Sequence, residues 1–142
     1  MDLIKEQILT ASGKMIENRK GLFEPRGHAI EFRINAEDPQ NDFAPSPGKI
    51  TRCFVPGGPG VRLDTFINTG SEVSPFYDSL LAKLIIWDSD RKSAIARSVR
   101  ALDEFKIEGI STTIPFHRRI LANKKFIEGQ INTHFIEEEF KD

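Results

Sequence analysis

The chain has 142 residues, of which 20 are Lys or Arg and 21 are Asp or Glu, for a formal net charge of −1. That length suits one domain, or one domain with a tail, burying roughly two-thirds of its unfolded surface, and the balanced charge offers no field for concentrating nucleic acid or an anionic membrane. A single cysteine, Cys53, rules out an intramolecular disulfide and fits a reducing compartment, the cytoplasm by expectation.

The first residues carry Asp2, Lys5 and Glu6 and no long apolar run, so they read as neither signal peptide nor membrane span. Leu3, Ile4, Ile8 and Ala11 share one helical face, with Asp2 as N-cap and Gly13 as stop, which predicts a short amphipathic helix. A helix that begins almost at Met1 points to a piece of a larger protein. Residues 17–26, ENRKGLFEPR, read as a linker, so 1–26 are expected to lead into a main domain over 27–142.

The densest signal is GHAIEFRINAEDPQNDFAPSPGKI, residues 27–50. Ile30, Phe32 and Ile34 alternate with Glu31, Arg33 and Asn35, the pattern of a strand with one buried and one wet face. Arg33 stands out on the wet face, because a planar fork of donors on a stiff strand suits a carboxylate or similar planar oxyanion. On pattern alone the simplest reading is an arginine paired with Glu31 or Glu37 on a solvated sheet face, and Glu37 and Asp38 are turn formers.

Pro39, Pro45, Pro47 and Gly48 then fix a loop, and residues 49–55 resume an extended pattern. PGGPG, residues 56–60, lacks the GxxxxGK(S/T) spacing of a phosphate loop and reads as a hairpin turn into a strand led by Val61, Leu63, Thr65 and Ile67. Asn68 to Gly70 turn the chain again. SPFYDSLLAK, residues 74–83, is a second polar site, followed by a short apolar strand over 84–87. Ser89 or Asp90 caps a helix with Ile95, Val99, Leu102 and Phe105 as its core stripe and Arg91, Lys92, Arg97 and Arg100 as a solvated face. A short strand over 106–109, a helix from Thr113 to Asn123 and a last helix from Thr133 or His134 to Phe140 complete the chain. Short turns at Gly57 and Gly70 imply antiparallel neighbours, so the predicted class is α+β, mainly antiparallel sheet flanked by short helices. His28, His117 and His134 lie far apart without metal-ligand spacing, and no nucleophile elbow, P-loop or dinucleotide fingerprint occurs.

GHAIEFRINAEDP, PSPGKI, PGGPGVRLD and SPFYDSLLAKLI, in that order, together with EFKIEGISTT and INTHFIEE, closely resemble the C-terminal domain of biotin carboxylase, and the resemblance runs from DLIKEQI nearly to the end. It implies a parent enzyme that uses ATP, Mg2+ or Mn2+ and bicarbonate to carboxylate biotin held on a carrier protein. That carboxyl group then passes to a carboxyltransferase acting on acetyl-CoA, pyruvate or a similar acceptor. Arg33 matches the family arginine that lines the bicarbonate and biotin site and steadies the biotin enolate. Tyr77 and Asp78 match the family's YDS motif near that pocket, Thr133 and His134 fall where the family closes over adenine, and Arg62 matches a homodimer contact. Beside Arg62, Pro59 departs from the phenylalanine of some members. The ATP-grasp core and the N-terminal domain have no counterpart in the sequence, so the chain alone is expected to be inactive. Two other readings stay open: a dimerisation module without a catalytic role, and the equivalent domain of another ATP-grasp ligase.

Overall fold

Residues 2–15 and 25–140 are described by a computed structural model. The opening helix α1 (Leu3–Ala11) starts where the Asp2 carboxylate accepts from the Lys5 N–H at 3.0 Å. None of its residues is buried, and Leu3, Ile4 and Ile8 are 63–65% exposed, so its apolar face is bare. The linker expected over 17–26 falls largely outside the described residues.

From there the chain runs through β1 (His28–Asn35), β2 (Glu37–Asp38), β3 (Ala44–Pro45), β4 (Gly48–Lys49), β5 (Arg52–Phe54), β6 (Val61–Thr65), β7 (Glu72–Val73) and β8 (Leu80–Asp88). It ends in α2 (Arg91–Glu104), β9 (Lys106–Glu108), α3 (Ile114–Ala122), α4 (Lys124–Glu128) and α5 (Phe135–Phe140). The class is α+β, and every ladder among the described residues is antiparallel.

The main sheet has the order β1-β8-β6, with the nine-residue β8 at its centre. One face, carrying Phe32, Ile34, Ala82, Leu84 and Ile86, packs on Ile95, Ala101, Leu102 and Phe105. A second cluster, Ala36, Ile50, Ile67, Val73 and Leu81, gathers the small outlying strands. Leu81 joins it because the β1–β8 register shifts between Ile34 and Asn35, which pair with Ala82 and Leu80 and leave Leu81 unopposed. Such a bulge bends the strand and re-aims side chains. Asp90 is the helix cap of α2, accepting from the Ser93 N–H at 2.9 Å.

Several expectations need correction. PGGPG is not a hairpin turn, because β5 pairs with β9 and β6 pairs with β8. The Gly70 turn likewise joins strands of different sheets, β6 pairing with β8 and β7 with β4. The glycine loop is instead pinned to the end of β8: the Gly60 carbonyl accepts from the Trp87 N–H at 2.9 Å and the Pro59 carbonyl from Arg97 at 2.7 Å. Arg91, Arg97 and Arg100 are therefore not simply a solvated face. Arg97 also pairs with Asp88 at 2.7 Å, Arg91 donates to the Phe126 carbonyl, and Arg100 reaches both Glu104 and the Gly57 carbonyl. The stripe of α2 runs through Ala94, Ile95, Ser98, Ala101 and Leu102, leaving Val99 40% exposed. The strand expected over 84–87 extends over 80–88, and α4 has no counterpart among the expected elements; Asn123, read as an end, is its N-cap, accepting from the Phe126 N–H at 3.2 Å.

Candidate functional site

The sheet face turned away from α2 carries the polar residues. Register fixes two cross-strand rows on it: Glu31, Ile85 and Arg62, and next to them Arg33, Lys83 and Asp64. Residues directly opposed across a ladder share a face and lie within side-chain reach. The two rows thus bring Arg33 and Arg62, far apart in sequence, onto one surface, together with Lys83 and Asp64.

Arg33 is exposed on a strand whose neighbours Phe32 and Ile34 are buried. The ion pair that the pattern favours is not formed. Glu37 instead accepts from the Asn35 amide at 3.0 Å and from the Ser79 hydroxyl, and among the described residues no ion pair joins Arg33 to Glu31 or Glu37. The backbone beneath Arg33 is held from α3. Its carbonyl accepts from the Thr113 hydroxyl at 3.1 Å and from His117 Nε2 at 2.9 Å, which assigns the imidazole proton to Nε2. The same Thr113 oxygen accepts from the Asn35 N–H at 3.0 Å, and the Thr113 N–H donates to the Asn35 carbonyl at 3.1 Å. Outward-facing backbone groups of the edge strand β1 are thus satisfied by one threonine. Burial pushes the His117 imidazole below the ordinary histidine value, with its bond to the Arg33 carbonyl acting in the opposite direction.

Tyr77 and Asp78 lie in the loop entering β8, which is tied to the end of β1 by the bond from the Ala36 N–H to the Ser79 carbonyl at 2.7 Å. Asp78 accepts from the Leu80 N–H at 2.6 Å, and Tyr77 is 84% exposed. Both border an open cavity of about 440 Å³ shared with Phe66, Glu72 and Leu81. The second apolar cluster, with Leu81, links this loop to the end of the polar face.

Thr133 and His134 are elsewhere. They precede α5, whose Phe135 packs on Phe126 and Phe140, and His134 faces Glu137 at 3.7 Å. No described contact joins them to Arg33. Arg62 holds Asp64 with two bonds of 3.0 and 2.8 Å on the edge strand β6, and this pairing lowers the Asp64 carboxyl below the usual carboxylate range. Pro59 sits in the loop ahead of β6, its carbonyl turned to Arg97. Cys53 is a free thiol, half-buried between the two apolar clusters, and that burial raises its pKa.

The sequence reading passes over Lys83, Asp64, Thr113 as a clamp, and His117. Thr113 and His117 stand four apart at the start of one helix and so share a face, and no Glu or Gln follows Thr113 at the third position of a capping box. Those two cues mark a hydroxyl that is engaged outside its own helix. No group of three or more His, Cys, Asp or Glu side chains among the described residues is placed to hold a metal ion. No helix among them is long and apolar enough to cross a membrane.

The family model described as the biotin carboxylase C-terminal domain matches residues 31–138. The chain is 52% identical to a pyruvate carboxylase subunit from Methanothermobacter thermautotrophicus over 97% of its own length and 28% of that protein's. It is 49% identical to a biotin carboxylase of Nostoc sp. over 97% of its length and 31% of the relative's. Among solved structures, the biotin carboxylase domain dimer of Hydrogenobacter thermophilus 2-oxoglutarate carboxylase, in complex with MgADP, ADP and bicarbonate, superposes with a TM-score of 0.87 at 42% identity, covering 97% of this chain and 30% of that one. The chain therefore spans about three-tenths of the length of the relatives it matches. By sequence, by extent and by fold, this chain belongs to the biotin carboxylase C-terminal domain family.

Proposed function

We propose that this chain supplies one wall of the active site of an ATP-dependent biotin carboxylase, with Arg33 as the group that meets the reacting atoms. The observation that carries the reading is a guanidinium free of Glu31 and Glu37, on a strand clamped beneath it by Thr113 and His117. A cation fixed before the reaction costs no reorganisation when charge develops, and this is the term that dominates many active sites. Biotin, when presented by its carrier protein, supplies the ureido nitrogen that takes the carboxyl group. Arg33 would bind the ureido oxygen and stabilise the negative charge that builds there as the nitrogen loses its proton. Asp78 and Tyr77 would border the same pocket from the loop before β8. The bicarbonate in the complex of the Hydrogenobacter relative supports a planar oxyanion as the co-substrate.

The rest of the reaction belongs to parts this chain does not supply. Among the described residues no group of three or more His, Cys, Asp or Glu side chains is placed to hold a metal ion. ATP, Mg2+ and the phosphate chemistry fall to an ATP-grasp core and an N-terminal domain of the parent. We therefore read residues 1–26 as the lead-in from that core, residues 27–142 as the domain proper, and the chain alone as inactive. Thr133 and His134 would approach the adenine from the far side, away from Arg33. The exposed Arg62 on the edge strand, with Pro59 before it, is assigned to a homodimer contact, in keeping with the dimer of the Hydrogenobacter relative. A carrier protein and a carboxyltransferase complete the partners, and the free thiol of Cys53 suits the cytoplasm. In the full-length enzyme, Arg33→Ala lowers biotin carboxylation by about a hundredfold or more; near-normal turnover would remove Arg33 from the mechanism.

A further inference from the structure

Arg91, the first residue of α2, grips two other parts of the fold at once. Its Nη1 lies 3.0 Å from His28 Nε2 at the start of β1, its Nη2 donates to the Phe126 carbonyl in α4, and its guanidinium carbon stands 4.9 Å from the centre of the Phe126 ring. A guanidinium only donates, so His28 Nε2 accepts and the imidazole proton sits on Nδ1. Arg91 Nε is buried without a partner among the described residues, and the turn after α4 closes over it: Gly129 has a φ of 76°, and a Cβ built there would lie 3.8 Å from Nε. The stretch that Arg91 grips leads directly into α5. Phe126 packs on Phe135 with ring centroids 6.2 Å apart, Asn123 donates to Glu139 at 2.9 Å, and Lys125 pairs with the same carboxylate. Phe135 is buried and directly follows Thr133 and His134 in the chain.

We propose that Arg91 is a positioning residue for the nucleotide: through Phe126 and Phe135 it sets Thr133 and His134 at a fixed place relative to β1, the strand that carries Arg33. The inference rests on the reading of Thr133 and His134 as the adenine side, and its test separates the two. α4 has five residues, none of them buried, and α5 has six. Helices so short do not hold their shape or place by their own hydrogen bonds, so both depend on tertiary anchors. Arg91 suits the task by its shape. A planar fork of donors reaches an imidazole nitrogen and a carbonyl oxygen together while its face lies against an aromatic ring, and a lysine ammonium has neither the plane nor the face.

The experiment uses the full-length enzyme with Arg91→Met, Arg91→Lys, His134→Ala and the double variant Arg91→Met with His134→Ala, and reads the KM for ATP, the KM for bicarbonate and the melting temperature of each. Arg91→Met is expected to raise the KM for ATP about tenfold while leaving the KM for bicarbonate unchanged, and Arg91→Lys to recover only part of that loss. Adding Arg91→Met to His134→Ala should raise the KM for ATP little further, because both changes act on the same contact. If Arg91→Met fails to fold, Arg91→Lys, which keeps the stem and the charge, carries the same comparison. A wild-type KM for ATP in the folded Arg91 variants, beside a raised one in His134→Ala, overturns the role of Arg91 and leaves the adenine reading standing. A wild-type KM for ATP in His134→Ala overturns that reading and the inference with it. A lower melting temperature in Arg91→Met with both KM values at wild type would assign Arg91 to stability alone, and fully additive effects in the double variant would separate it from His134; either result overturns the inference.

Discussion

Thr113→Val exchanges a hydroxyl for a methyl of nearly the same volume at a position 5% exposed, so its effect isolates the hydrogen bonds. The hydroxyl serves two groups: it donates to the Arg33 carbonyl at 3.1 Å and accepts from the Asn35 N–H at 3.0 Å. The carbonyl keeps its bond from His117 at 2.9 Å, so little is lost there. The Asn35 N–H is different. It is part-buried and points outward from the edge strand β1, where the Thr113 hydroxyl accepts from it. A part-buried donor left without a partner costs about 1–3 kcal/mol. With a urea m-value of roughly 1–3 kcal/mol per M for a domain of this size, the midpoint should fall by about 1 M. Unfolding can be followed by the fluorescence of Trp87, the single tryptophan. Thr113→Ser, which keeps the oxygen, should shift the midpoint less. In the full-length enzyme the valine variant should lower kcat and leave the KM for ATP unchanged, because only the strand under Arg33 is loosened. An unchanged midpoint in the valine variant would refute the idea that this threonine fixes β1.

Gly60→Ala should destabilise the fold by at least about 1 kcal/mol, since Gly60 has a φ of 72° and an added Cβ would overlap the Arg97 guanidinium and the Trp87 carbonyl; a melting temperature equal to wild type would contradict the pinned loop. The His117 imidazole holds its proton less tightly when folded than when unfolded, so stability should be complete above the ordinary histidine value of 6.5 and decline as pH falls below it. His117→Gln should flatten that decline, and an identical pH profile in the variant would place the titrating group elsewhere.

Much of the fold lies in local patterns. The alternation over 30–35 gives β1 and its two faces, the prolines at 39, 45 and 47 give the loop after it, and Asp90 gives the start of α2. Strand partnership does not lie in those patterns. PGGPG reads as a hairpin because its glycines permit a tight turn, yet its role is to let the chain approach Arg97 and the end of β8. The same holds at the site. Arg33 is conspicuous from its alternating neighbours, whereas its clamp comes from Thr113 and His117, 80 and 84 positions away, a relation that no spacing rule contains. Lys83 reads as the last residue of the polar stretch 74–83, and only the register sets it across from Arg33. The arginines of α2 look solvated because helical periodicity describes the face they occupy and not the carbonyls that come to meet them.

The functional reading turns on Arg33, and biotin carboxylation by the full-length enzyme measures it. Rates for wild type, Arg33→Ala and Arg33→Lys, at saturating ATP and bicarbonate and with melting temperatures taken in parallel, would suffice. A guanidinium carried on a clamped strand and meeting developing charge predicts a loss of about a hundredfold or more in the alanine variant, with only partial recovery by lysine and no change in folding. Wild-type turnover in a stably folded Arg33→Ala enzyme would contradict it.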